Sequence, residues 1–298
     1  MAVLPEPAPP ALAAAIDAGG GVVVPKESAQ ALVWLGDDPA RLGACLREAP
    51  QVTWVQLPWA GVEAYLPGMA DGREWTCARG VYGPSVAEHA LMLAMICLRG
   101  ADRSARAGRW LPQPPVTLTG QDVLVVGGGS IAGELLKLLG PFGADVTVVR
   151  RDARAMPGAT RVLPAGALDE ALPAARVVVL AAALTPETRG LIGARRLRLM
   201  RADACLVNVA RGELVVTDEL VRALAAGELA AAGLDVTAPE PLPDGHPLWS
   251  LPNCFVTAHC ADDLPYAMPA FAALVRENIA CRAAGRPLRG SVDRELGY

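Results

Sequence analysis

Four polar residues in the second half of the chain follow or flank short apolar runs, and their types suit a proton-transfer site. Arg211 follows the run 204–207, Asp235 the run 230–234 and His259 the run 254–257, while Glu240 stands between Pro239 and Pro241. A histidine titrates near neutrality and can give or accept a proton. A carboxylate against its other ring nitrogen fixes the tautomer and stabilises the imidazolium, a task suited to Glu240. A guanidinium fork grips a carboxylate with two bonds and can also touch a neighbouring keto oxygen, which suits Arg211. Any one of these alone reads as a surface ion pair. Four on one edge of a sheet, beside a cofactor, read as chemistry.

The cofactor signal lies upstream, in residues 121–151. A β-branched run at 123–126 has the pattern of a buried parallel strand. It enters Gly127-Gly128-Gly129-Ser130-Ile131-Ala132, a G-x-G-x-x-G/A string, then leucines at helical spacing (135, 136, 138, 139) and a second strand at 146–149. One glycine serves the tight turn and another the close approach of a pyrophosphate, and the small third residue lets the helix pack on the strand. The helix N-terminus then offers free N–H groups to the anion. Such a string alone is weak, but strand, turn, helix and strand within about 30 residues identify a dinucleotide-binding unit. Arg150 and Arg151 stand where an acidic residue would bond the ribose hydroxyls of NAD. Two guanidinium groups favour a 2′-phosphate, so NADP is expected over NAD.

The elements that must position these residues alternate along the whole chain. Strands are expected at 22–24, 31–35 and 52–56, with helices at 11–18 and 39–49, forming a small α/β unit without a phosphate turn. Its third strand runs into Trp59, Ala60 and Gly61, a substrate-loop candidate because ligands collect at strand C-termini. A long helix is expected over 85–106; His89 within it reads as a core or interface histidine. Its apolar residues, Leu91, Met92, Met95 and Ile96 among them, exceed what one core can bury and predict a homodimer. Residues 112–115 read as a linker. Strands at 176–181, 204–207, 230–234 and 254–257 alternate with helices at 192–200 and 218–227, and a closing helix spans 266–284. The expected division is 1–97 plus 266–298 for one domain and 98–265 for the other.

Composition narrows the setting. The 298 residues are 52% apolar with a net charge of −4, which offers no electrostatic case for nucleic acid or an anionic membrane. The first ten residues lack the basic and apolar regions of a signal peptide, and no apolar run is long enough to span a bilayer. Seven scattered cysteines without a C-x-x-C pair read as reduced thiols of a cytoplasmic protein. No metal is expected, since no histidine pair has ligand spacing.

These stretches together resemble the D-isomer-specific 2-hydroxyacid dehydrogenases, the family of glyoxylate/hydroxypyruvate reductases and phosphoglycerate dehydrogenases. The resemblance runs through VQLPWAGVE (55–63), SVAEHAL (85–91), GGGSIA (127–132), LTPETRGLI (184–192), LVNVARGELV (206–215), AGLDVTAPEPLP (232–243) and NCFVTAHCA (253–261). It implies a Rossmann-type doubly wound parallel-sheet cofactor domain and a smaller flavodoxin-like α/β substrate domain. It implies Arg211 as the substrate-orienting arginine, Glu240 as the acid paired with histidine, His259 as the acid/base and Asp235 as the aspartate that holds the nicotinamide carboxamide. It also implies cofactor contacts from Ala183, Pro186, Thr188, Val209 and Ala210, and a substrate-carboxylate loop at Trp59, Ala60 and Gly61. The implied reaction is reduction of a small 2-keto acid to its D-2-hydroxy acid. Hydride delivery to the keto carbon builds negative charge on the carbonyl oxygen, beside which the proton donor must sit. The alternatives are a nucleotide-sensing corepressor of the same family, or a formate or phosphite dehydrogenase, against which Glu240 argues because formate enzymes pair the histidine with glutamine. A covalent role for Cys260, with His259 as its base, is the competing mechanism. Trp59, Ala258 and Asp262-Asp263 depart from the family pattern and bear on substrate identity more than on reaction class.

Overall fold

A computed structural model describes residues 1–70, 72–112, 114 and 116–297. Gln113 and Pro115 of the expected linker at 112–115 lie outside the described residues. The chain divides into two compact units, Met1–Tyr82 with Asp262–Tyr298, and Gly83–Ala261.

The first unit is built on a four-stranded parallel sheet in the order β1 (Ala2–Leu4), β2 (Ala31–Trp34), β3 (Trp54–Gln56) and β4 (Glu74–Thr76). Helices α1 (Pro10–Ala18) and α2 (Pro39–Glu48) connect the early strands, and the chain's last helix, Leu264–Ala283, returns to pack on α1. Phe271 and Val275 of that helix share a core with Leu12, Ile16, Val3 and Val33. Residues 22–24 do not form a strand. They lie along the outer edge of β1, where the Val24 N–H donates to Met1 O at 3.0 Å and the Met1 amine to Val22 O at 2.7 Å. With that segment added at the edge the order reads 2-1-3-4-5, as in a flavodoxin-like sheet.

The second unit carries a seven-stranded sheet, parallel throughout. In chain order it contains α3 (Gly83–Arg99), α4 (Ala101–Arg106), β5 (Asp122–Val126), α5 (Ser130–Leu139), β6 (Asp145–Arg150), β7 (Arg161–Pro164), α6 (Leu168–Ala171), β8 (Val177–Leu180), α7 (Ala194–Leu199), β9 (Cys205–Asn208), α8 (Thr217–Ala226), β10 (Ala231–Leu234), α9 (Pro247–Ser250) and β11 (Cys254–Val256); the closing helix is α10. The spatial order is β11-β10-β9-β8-β5-β6-β7. The chain therefore runs outward through β5, β6 and β7, then crosses back to β8, so the connections diverge between β5 and β8. Ligands of open parallel sheets bind at such a point, beyond the strand C-termini.

Burial on both faces explains the uninterrupted apolar strands. Leu124, Val178, Leu180, Leu206 and Leu234 point to one face and meet Leu168, Leu197, Leu220 and Leu224 of the covering helices. On the other face α3 packs against β9, β10 and α5. Gly233 admits it closely: a β-carbon there would lie 3.0 Å from Leu93 Cβ and 3.2 Å from Cys97 Sγ. At the strands' N-terminal edge, Arg176 and Arg201 flank Asp203 at 3.0 and 2.8 Å. The bond from Arg201, then that from Arg176, holds the Asp203 carboxyl well below its ordinary range.

The helix and strand expectations change further. The helix expected over 85–106 breaks at Gly100, whose φ of 56° is left-handed, so α3 and α4 are separate. Helix α3 packs on β9, β10 and α5 within the second compact unit, which runs from Gly83 to Ala261. Strands β1, β4 and β7 were not expected. The first two are three residues long, and β7 is an edge strand with exposed ends and a terminal proline.

Candidate active site

The strand register brings the candidate loops of the second unit to one edge. Val126 pairs with Leu180, Leu180 with Asn208, Asn208 with Leu234, and Leu234 with Val256. Parallel pairing makes all of these C-terminal ends, and the segments that follow contain Gly127, Ala183, Arg211, Asp235 and His259.

Arg211 leaves β9 in an extended conformation. Buried Asn208 staples the turn: its Nδ2 donates to Arg211 O at 2.8 Å, and its Oδ1 accepts from the Ala210 N–H at 3.1 Å. Arg211 Nη1 donates to Ala210 O at 2.7 Å, and both Val209 and Ala210 are buried. Gly212 interlocks this turn with the next loop, because a β-carbon there would fall 1.9 Å from Thr237 O. No other residue type fits. Thr237 in turn holds the base of the Glu240 loop: its N–H donates to Glu240 Oε2 at 3.3 Å and its hydroxyl to Pro239 O at 2.8 Å.

Glu240 Oε1 lies 2.6 Å from His259 Nδ1. A carboxylate has no proton to give, so Nδ1–H donates and Nε2 is the nitrogen left for proton exchange. The His259 and Glu240 side chains are 50% and 41% exposed. An ion pair so open to water stabilises the fold little, and its value is orientation. His259 itself has φ 49°, the left-handed region, where no other non-glycine is found among the described residues. Its N–H donates to Asp235 O at 2.8 Å.

Asp235 is the buried charge of the site, its side chain 1% exposed. Oδ1 accepts the Thr257 hydroxyl at 2.6 Å and the Cys260 N–H at 3.0 Å, and Oδ2 accepts the Ala261 N–H at 3.2 Å. His89 Nε2 approaches Asp235 Oδ1 at 3.2 Å and Thr257 Oγ1 at 2.9 Å. The ligand-type atoms of His89, Asp235 and Cys260 all lie within 4.8 Å of one another. The donors already gathered on Asp235 give the group the character of a hydrogen-bond network rather than a metal cage.

The glycine turn is shaped for close approach. Gly127 has φ 115°, and a β-carbon on it would meet Ala181 O at 2.4 Å. Gly129 caps α5, whose first turn is Ser130, Ile131 and Ala132. Arg150 ends β6 and lies across the turn, since a β-carbon on Gly128 would come within 2.6 Å of its Nε. Arg151, next to it, is exposed. After β8, the Thr188 hydroxyl donates to Ala183 O at 2.7 Å and accepts from the Thr185 N–H at 2.7 Å, folding the loop that carries Pro186.

In the first unit, β3 leads into Trp59, Ala60 and Gly61. The Trp59 ring stacks on Tyr82 at 6.3 Å between centroids, and the Tyr82 hydroxyl donates to Pro58 O at 2.6 Å. Burial, with smaller help from Asp262 and Asp263, pushes the Tyr82 hydroxyl's pKa upward. Asn208, Gly212, Thr257 and His89 were not singled out as site residues from sequence. The available signals were a glycine directly after the arginine and a lone imidazole beside the buried stripe of Val86, Ala90, Leu93 and Cys97.

The sequence profile of the D-isomer specific 2-hydroxyacid dehydrogenase NAD binding domain matches residues 89–261, more than half of the chain. The chain belongs to this family. It is 35% identical over 257 residues to the uncharacterized protein in the proB 3′ region of Corynebacterium melassecola, covering 83% of this chain and 84% of that one. It is 32% identical over 194 residues to the human glyoxylate reductase/hydroxypyruvate reductase, an alignment spanning 63% of this chain and 59% of the human protein. The fold superposes on the crystal structure of a D-isomer specific 2-hydroxyacid dehydrogenase from Xanthobacter autotrophicus Py2 in complex with NADPH and MES. That match has a TM-score of 0.86 at 29% identity and covers 100% of this chain and 99% of that one. The family assignment and the parallel sheets agree with the resemblance read from sequence.

His259 in its left-handed turn carries a strain that glycine would release. His259→Gly is expected to be more stable than His259→Ala by about 1 kcal/mol, the cost an L-residue bears at positive φ. Urea denaturation of the two variants checks this, and equal midpoints would remove the strain from the account.

Proposed function

We propose that the chain reduces a small 2-keto acid of the glyoxylate or hydroxypyruvate kind to the D-2-hydroxy acid, using NADPH. The observation that carries this reading is the 2.6 Å bond from His259 Nδ1 to Glu240 Oε1 on the sheet edge that also bears Arg211. Bound NADPH supplies the hydride. Gly127, Gly129, Ser130, Ile131 and Ala132 would hold its pyrophosphate, and Asp235 its carboxamide. Ala183, Pro186, Thr188, Val209 and Ala210 complete the proposed cofactor wall. His259 Nε2–H gives its proton to the keto oxygen as charge develops there, and Glu240 keeps the resulting imidazole in register. Arg211 grips the substrate carboxylate and polarises the keto group. Trp59, Ala60 and Gly61 are the proposed substrate loop. Seven free cysteines suit a reducing, cytoplasmic setting. No described helix is long and apolar enough to cross a membrane.

Steady-state kinetics with purified protein and glyoxylate, hydroxypyruvate, pyruvate and phenylpyruvate test the activity. A protein that binds NADPH but turns over none of them would be a sensor instead. His259→Asn is expected to lower kcat by about 10²- to 10⁴-fold with NADPH binding nearly intact. Glu240→Gln is expected to be gentler, and Arg211→Lys to act mainly through a raised KM for the keto acid. Cys260→Ala should keep a near-normal rate, whereas a loss as deep as that of His259→Asn would favour the covalent route.

Arg150 across the glycine turn, with Arg151 beside it, supports NADPH as the preferred cofactor, as does the NADPH held by the Xanthobacter relative. kcat/KM is expected to be higher with NADPH than with NADH. The reverse order would refute the preference.

Met92 and Met95 of α3, 39% and 41% exposed, support a homodimer built on that helix. Light scattering at micromolar concentration should give twice the chain mass of 30.9 kDa, and a value of 30.9 kDa would rule against the dimer.

A further inference from the structure

We propose that His89 is a positioning residue for the reaction, locking the segment 257–261 that carries His259 by way of Thr257 and Asp235. The inference rests on the roles given above to Asp235 and His259.

The directions of the bonds follow from the groups themselves. The Asp235 carboxylate can only accept, so the Thr257 hydroxyl, 2.6 Å from Oδ1, spends its single proton there. The Thr257 oxygen then has only acceptor capacity left for His89 Nε2, at 2.9 Å. His89 is thereby held with its proton on Nε2, shared between Thr257 Oγ1 and Asp235 Oδ1 at 3.2 Å. A carboxylate 1% exposed keeps its charge away from water only where donors surround it. Here there are four: one imidazole N–H, one hydroxyl, and the backbone N–H groups of Cys260 and Ala261.

Two of these donors directly follow His259 in the chain, and the His259 N–H is itself bound to Asp235 O. Asp235 therefore clamps the left-handed turn from its own main chain and side chain. His89 is the one donor that reaches it from a different element, the long helix α3, fixed by Leu93 and Cys97 against Gly233 of β10. Its side chain is 13% exposed, on a helix face otherwise given to packing. An imidazole there is costly without a polar partner, and this network supplies one.

The test compares the full-length wild-type protein with His89→Leu, which removes the donor, and His89→Gln, whose amide N–H reaches to a similar distance. Expected for His89→Leu is a fall in kcat of about 10- to 100-fold, the size of one hydrogen bond to a charged group. The keto-acid KM should change little, and deuterium uptake at 257–261 should quicken. His89→Gln should recover most of the rate and of the protection. His89→Leu with wild-type kcat, or with unchanged uptake at 257–261, overturns the proposal, even if its melting temperature falls. If wild-type protein turns over no keto acid, the proposed function fails alone, and the exchange measurement still decides the clamp. Should His89→Leu not fold, Thr257→Val breaks the same relay and is expected to give the same two changes.

Discussion

Two backbone carbonyls at the edge of the large sheet occupy space that a β-carbon would need, and the site depends on that. Ala181 O stands against Gly127, and Thr237 O against Gly212. The first contact closes the phosphate turn onto the neighbouring strand's loop; the second ties the arginine-bearing turn to the loop that holds Glu240. Neither contact is energetically large. Both act by exclusion, fixing the loops so closely that each candidate side chain has one place to go. Parallel pairing does the rest, since it delivers every strand's last residue to the same side.

The site treats its charges in two ways. His259 and Glu240 are half exposed, so water screens them and their pairing is a matter of aim. Asp235 is almost wholly out of water, with the Thr257, Cys260 and His89 donors gathered on Oδ1 and the Ala261 N–H on Oδ2. The open pair is suited to exchanging protons, and the closed carboxylate to holding shape. The left-handed turn at His259 joins the two, because the ring pairs with Glu240 while the next two amides, of Cys260 and Ala261, face the Asp235 carboxylate.

Much of this was legible in the chain itself. The glycine string flanked by β-branched runs marked the central strand and its helix; Asp235 directly follows β10, Arg211 and His259 lie just beyond β9 and β11, and Glu240 stands further along the loop after β10. Strand β7 was silent because an edge strand needs no apolar run, and β1 and β4 because three residues carry no period. The break at Gly100 falls where the apolar stripe of α3 gives way to the polar run Asp102-Arg103-Ser104, and a single glycine inside a helical stretch does not by itself mark an end. His89 and Thr257 escaped notice as partners for another reason. They lie 168 positions apart and meet only because α3 packs across β10 and β11. Pairings of that kind belong to the tertiary structure, and no local pattern announces them.

The ion triad of Arg176, Asp203 and Arg201 sits at the opposite end of the strands from all of this. Its carboxylate is depressed in pKa, so its stabilising contribution is present above the unfolded-state value and fades as acid protonates it. Because that end meets none of the proposed chemistry, it is where evolution or an engineer is free to trade charges. Robustness toward heat or acid can thus be retuned at the bottom of the sheet while the candidate site at the opposite rim is left alone, a division of labour between two ends of the same seven strands.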